Sequence, residues 1–94
     1  MMGYMSSERE LEKLRNYIDI ADKKLLAALA ERMSSVKKIG DLKDEEGLPV
    51  VDEKRWSDVL SKRIAWGTYM GLSSELIRNI FEEIHTSSKA LQKK

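Results

Sequence analysis

The chain has no cysteine, which excludes disulfide staples, thiolate nucleophiles and cysteine metal sites together. Its one histidine, His85, would leave any zinc site leaning on carboxylates, so no metal is expected. An excess of one charge is missing too: 17 Lys and Arg against 16 Asp and Glu give a formal net charge of +1. That balance supplies no global field for a nucleic-acid backbone or an anionic membrane, so any bound anion must be held by local charge. No run approaches the roughly 18 apolar residues of a membrane span. Met1–Ser7 lacks the charged and apolar regions of a signal peptide. The expectation is a cytoplasmic protein with neither nucleic acid nor membrane as partner.

Proline occurs once and glycine five times in 94 residues, so long uninterrupted helices are open to this chain. A hydrophobic content of 41% beside 35% charged is the balance of a soluble globular protein, and the length predicts a single domain over 1–94. Ser6 or Ser7 is a candidate N-cap, with Glu8 and Glu10 in the turn that follows. Leu11, Leu14, Ile18, Ala21, Leu25, Ala28, Leu29, Val36, Ile39 and Leu42 then recur at helical spacings. Gly40 interrupts that seam at a cost of about 1 kcal/mol relative to Ala. Asp44 through Pro49 is expected as exit and loop, Asp52 as the N-cap of a second helix ended by Gly71, and Ser73 or Ser74 as the cap of a third. The fold class is therefore all-α, with three helices at about 7–44, 52–70 and 73–92 and no strand pattern.

A helix of about 37 residues is about 55 Å long, whereas a compact chain of this size is roughly 30 Å across. Most of the seam would overhang what two shorter helices can cover. A second copy of the chain is the simplest cover, in a homodimer whose first helices pair antiparallel about a two-fold axis. Arg32 stands in the seam where an apolar residue is expected, and Lys43 follows eleven residues later on nearly the same face. Charges on an apolar stripe are costly unless paired, so either they snorkel to surface carboxylates or they serve a ligand. Arg55 lies one turn into the second helix, and Ser88 and Gln92 share a face of the third. Arg15 is about 25 Å from Arg32 along the helix, too far for both to touch one small ligand within a subunit. In an antiparallel dimer it can reach the partner.

Leu14-Arg15, the run Asp22 to Arg32, Lys43, the group Leu48-Pro49-Val50 with Asp52 and Arg55, and Ser88 with Gln92 occur in an order that resembles the all-helical chorismate mutases. The resemblance covers roughly residues 8–92. It implies an intertwined homodimer of three-helix chains, with no room in 94 residues for a fused dehydratase, dehydrogenase or synthase. The implied reaction, chorismate to prephenate in the biosynthesis of Phe and Tyr, is an intramolecular [3,3] rearrangement. It needs no nucleophile, proton transfer, metal or cofactor. Catalysis reduces to holding a dianion in its reactive conformer and stabilising charge on the ether oxygen as its C–O bond breaks.

Carried onto this sequence, the resemblance implies that Arg32, Arg55 and the partner chain's Arg15 grip the two carboxylates, with Ser88 assisting. Lys43 and Gln92 would donate to the ether oxygen, and Asp52 would help position the ring hydroxyl. Many relatives place a Glu directly after the second-helix Arg; here that residue is Trp56, which cannot accept a hydrogen bond. Trp56 is expected in the core with Val59 and Leu60. His85 is expected as wall or structural neighbour and not as a base. Two other readings stay open: an isochorismate-pyruvate lyase on the same fold, and a non-enzymatic helical dimerisation module. A partner enzyme of the same pathway is a further open expectation.

Overall fold

In a computed structural model of the chain, which describes residues 2–93, the apolar repeat of the first stretch forms one continuous helix, α1 (Met2–Glu46). It is followed by α2 (Glu53–Tyr69) and α3 (Ser74–Gln92), and no strand occurs among the described residues. No helix among them is long and apolar enough to cross a membrane. The all-helical expectation holds, with corrections at the first helix. It starts at Met2 and not at Ser6 or Ser7: no proline precedes them, and the single Gly3 does not stop the helix. At the other end Asp44, Glu45 and Glu46 remain helical, and the expected early exit is displaced to Gly47.

The helix ends follow from single residues. Gly47 has φ +68° and Gly71 has φ +89°, the left-handed region in which a Cβ is unfavourable. Each sits in a Schellman closure that satisfies the last carbonyls of its helix: Leu48 N donates to Lys43 O at 2.8 Å after α1, and Leu72 N to Gly67 O at 2.9 Å after α2. The helix starts use side chains instead. Asp52 Oδ1 accepts from Arg55 N at 3.0 Å, and Ser73 Oγ accepts from Leu76 N at 3.1 Å, as the sequence leads one to expect.

The chain divides into two units, residues 1–32 and 33–94. The described residues of the first are helical throughout and almost wholly exposed, with Leu25 and Leu26 at 63% and 64%. The second unit contains the buried core: Val36 from α1, Val59 from α2 and Ile77 from α3, one apolar side chain per helix. Each contributes about 1.5–3 kcal/mol on full burial. Gly40 is buried in the same unit, and its lack of a side chain has a packing reason. A Cβ there would come within 2.9 Å of Gln92 Cα and 3.0 Å of its Cγ. The roughly 1 kcal/mol that glycine costs a helix interior is thus exchanged for the close approach of α3 to α1.

Candidate active site

That close approach delivers two polar side chains to each other. Gly40 lies about one turn before Lys43, so the end of α3 passes beside the last turn of α1. Lys43 Nζ donates to Gln92 Oε1 at 3.0 Å. It also donates to the carbonyl oxygen of Val50 at 2.7 Å. The reversal through Gly47 turns the chain back after α1 and makes that carbonyl available. Both acceptors are neutral, so the ammonium is oriented without a carboxylate in this pair of bonds. An ammonium has three donors, and two are used here, which leaves one for an incoming acceptor. The amide of Gln92 is oriented by the same contact. With Oε1 committed to Lys43, the amide offers its NH₂ as donor. Lys43 and Gln92 are half-buried, where a hydrogen bond is electrostatically stronger than in bulk water.

Two further expected residues meet at the start of α2. The Asp52 cap holds the first turn through the backbone of Arg55, and both side chains are exposed. An exposed guanidinium can meet a carboxylate through two parallel hydrogen bonds. Ser88 is buried at 6% exposure; its Oγ donates to Ile84 O at 2.7 Å and lies 3.8 Å from Met33 Sδ. To serve a carboxylate its hydroxyl would have to rotate off its own helix. Arg15 is exposed and Arg32 half-buried, both in the unit of residues 1–32.

The second unit thus contains Lys43, Asp52, Arg55, Ser88 and Gln92 and joins the first to the last directly. Three residues have a part in this arrangement that the sequence does not signal. Val50 acts through its backbone, which leaves no side-chain signal. Gly40 was noted only as a cost, although an interior glycine one turn from a seam lysine is itself a sign of close approach. Trp56 was expected in the core; it is half-buried and stacks on His85, with ring centroids 3.9 Å apart and planes 5° from parallel.

Residues 14–93 match the family model described as chorismate mutase type II, a span that includes all seven expected site residues. The chain belongs to the chorismate mutase type II family. Relatives of this family differ in length. The T-protein of Enterobacter agglomerans is 33% identical over 79 residues, 84% of this chain and 21% of the relative. The bifunctional chorismate mutase/prephenate dehydratase of Escherichia coli K12 is 36% identical over 88 residues, covering 94% of this chain and 23% of that protein. A protein named chorismate mutase from Methanocaldococcus jannaschii is 29% identical over 84 residues, 89% of this chain and 85% of its own length. The chain therefore spans about a fifth to a quarter of the length of the first two relatives and most of the third.

Proposed function

We propose that this chain is a chorismate mutase, converting chorismate to prephenate in the biosynthesis of Phe and Tyr. The observation that carries the reading is the Lys43–Gln92 pair, 3.0 Å apart, which leaves a cationic N–H and an amide NH₂ as adjacent donors. In the [3,3] rearrangement the ether C–O bond breaks while a C–C bond forms within the same molecule, and negative charge grows on the ether oxygen. Fixed donors at that oxygen lower the barrier because they need no reorganisation when the charge appears. Lys43, with Val50 O and Gln92 Oε1 holding its ammonium, is the main donor. Gln92 is the second, and as a neutral amide it donates at any pH. Asp52 positions the ring hydroxyl, Arg32 and Arg55 grip the carboxylates, and Ser88 assists once its hydroxyl turns from Ile84. No cofactor enters this reaction.

The same reading makes the working form an intertwined homodimer of one-domain chains, acting in the cytoplasm, with Arg15 of each chain completing the other's site. Support comes from the seam of residues 6–32, where Leu11, Leu14, Ile18 and Leu25 are exposed at 48–63%. Burying such side chains against a second copy gains about 25 cal/mol for each Å² of apolar surface removed from water. Purified protein assayed side by side on chorismate and isochorismate tests the chemistry: prephenate from chorismate is expected, release of pyruvate from isochorismate alone would establish the lyase, and inertness toward both would leave a dimerisation module. Light scattering tests the assembly. A dimer is expected, and a folded monomer at micromolar concentration would remove the shared site.

A further inference from the structure

The start of α2 carries Arg55, yet little apolar packing is available to hold it. Asp52, Glu53, Lys54 and Arg55 are all exposed, and the first buried α2 side chain, Val59, comes one turn later. The ring pair is one link between this turn and α3. Trp56 N donates to Asp52 O at 2.9 Å, so its backbone belongs to the capped turn that presents Arg55. Its indole lies flat on the imidazole of His85, centroids 3.9 Å apart and planes within 5°. His85 precedes Ser88 by three residues and Gln92 by seven, one and two turns along a shared face of α3.

We infer that the Trp56–His85 stack is a strut that sets the separation between Arg55 on α2 and the Ser88–Gln92 face of α3. This rests on the mutase reading, in which Arg55 holds a substrate carboxylate while Gln92 faces the ether oxygen. Both rings are positioning residues, acting through the helices that carry them. The strut acts on one end of the site only. The donor pair at the other end is fixed separately by Val50 O and by the approach at Gly40. Loosening the strut therefore weakens the grip on the substrate more than it weakens charge stabilisation in the transition state.

The test is a KM-against-kcat split in the full-length protein with chorismate as substrate. Trp56→Ala and His85→Ala are each expected to raise KM about tenfold while kcat stays within about threefold, the size of effect available to one aromatic pair. The double alanine variant is expected to be no worse than either single one, because each already removes the whole stack. Ring-keeping Trp56→Phe and His85→Phe are expected to return KM to within about twofold of wild type. Trp66→Phe, which removes an exposed indole outside the strut, is the control and should behave as wild type. Should an alanine variant melt below the assay temperature, His85→Gln, which keeps bulk but loses the ring, carries the same expectation. Unchanged KM in the ring-deleted variants, additive losses in the double variant, or equal losses in the phenylalanine variants would each overturn the strut while leaving an active mutase. A wild-type chain inert toward chorismate would overturn the mutase reading, and the strut with it.

Discussion

Residues 6–32 and residues 33–93 obey the same helical rules and reach opposite outcomes. The second stretch folds back on itself, buries one apolar side chain from each helix and joins Lys43 to Gln92. The first satisfies its backbone hydrogen bonds within α1, but only Leu29 and Arg32 are so much as half-buried in it. Helical hydrogen bonding and apolar burial are separate requirements, and a single helix meets only the first. An isolated helix in water is marginal, because most helical stability in proteins comes from packing an apolar face. The first stretch therefore leaves its apolar face uncovered, whereas the second contains a core and a hydrogen-bonded Lys43–Gln92 pair of its own.

The largest expected effect lies in the second stretch. Lys43→Ala should lower kcat by about 10²–10³ through loss of a preorganised donor, with a smaller fall in melting temperature from the lost bonds to Val50 and Gln92, because the three core residues are untouched. Equal losses of activity and thermal stability would mean that Lys43 is structural. Gln92→Glu sharpens the same point. At neutral pH the ionised carboxylate is an acceptor only and repels the ether oxygen, so activity should be low by about 10²; it should recover as pH falls and the side chain gains a proton to donate. A flat pH profile would place residue 92 away from that oxygen.

A third experiment asks whether the two stretches serve each other across subunits. Arg15→Ala and Lys43→Ala homodimers should each be nearly inactive. Co-refolding them at random should recover about a quarter of wild-type activity, since half the dimers are mixed and one of their two sites is whole. No recovery, with mixed dimers verified by mass spectrometry, would confine Arg15 to its own chain. The smallest effect is expected at Gly40→Ala, where a Cβ within 2.9 Å of Gln92 Cα forces the end of α3 outward. Overpacking of this kind costs about 1–3 kcal/mol, read as a lower melting temperature, and should be accompanied by a fall in kcat as Gln92 moves.

The limits of α2 and the start of α3 were legible because each rests on one local cause: Asp52 and Ser73 have the side-chain oxygens that cap a helix, and Gly71 tolerates the left-handed turn. The start of α1 differs from the Ser6 or Ser7 cap because a serine with an acidic neighbour is equally acceptable inside a helix, and one glycine upstream, Gly3, does not end it. The polar set was legible through Arg32 and Lys43, charges where the apolar period calls for none. What stayed hidden depends on distance in space. Nothing in the order of residues says that Val50 turns its carbonyl toward Lys43, or that Trp56 and His85, 29 positions apart in the sequence, lie face to face. The Met33 sulfur beside Ser88 is a contact of the same kind.

Lys43 holds the connection between α1 and α2 at both of its ends: its carbonyl oxygen takes the Leu48 amide at 2.8 Å, and its ammonium takes the Val50 carbonyl at 2.7 Å. Leu48 is 56% exposed, yet its amide is locked into the terminus of a helix. In deuterated solvent that amide should exchange more slowly than its exposure suggests, because it is released only when the lysine's own turn opens. Its exchange rate becomes a clock for the turn that holds Lys43 in the resting protein. Whatever loosens the turn, heat, denaturant or a substitution in the linker, would register there before the global unfolding transition, and a bound ligand that tightens Lys43 would slow it.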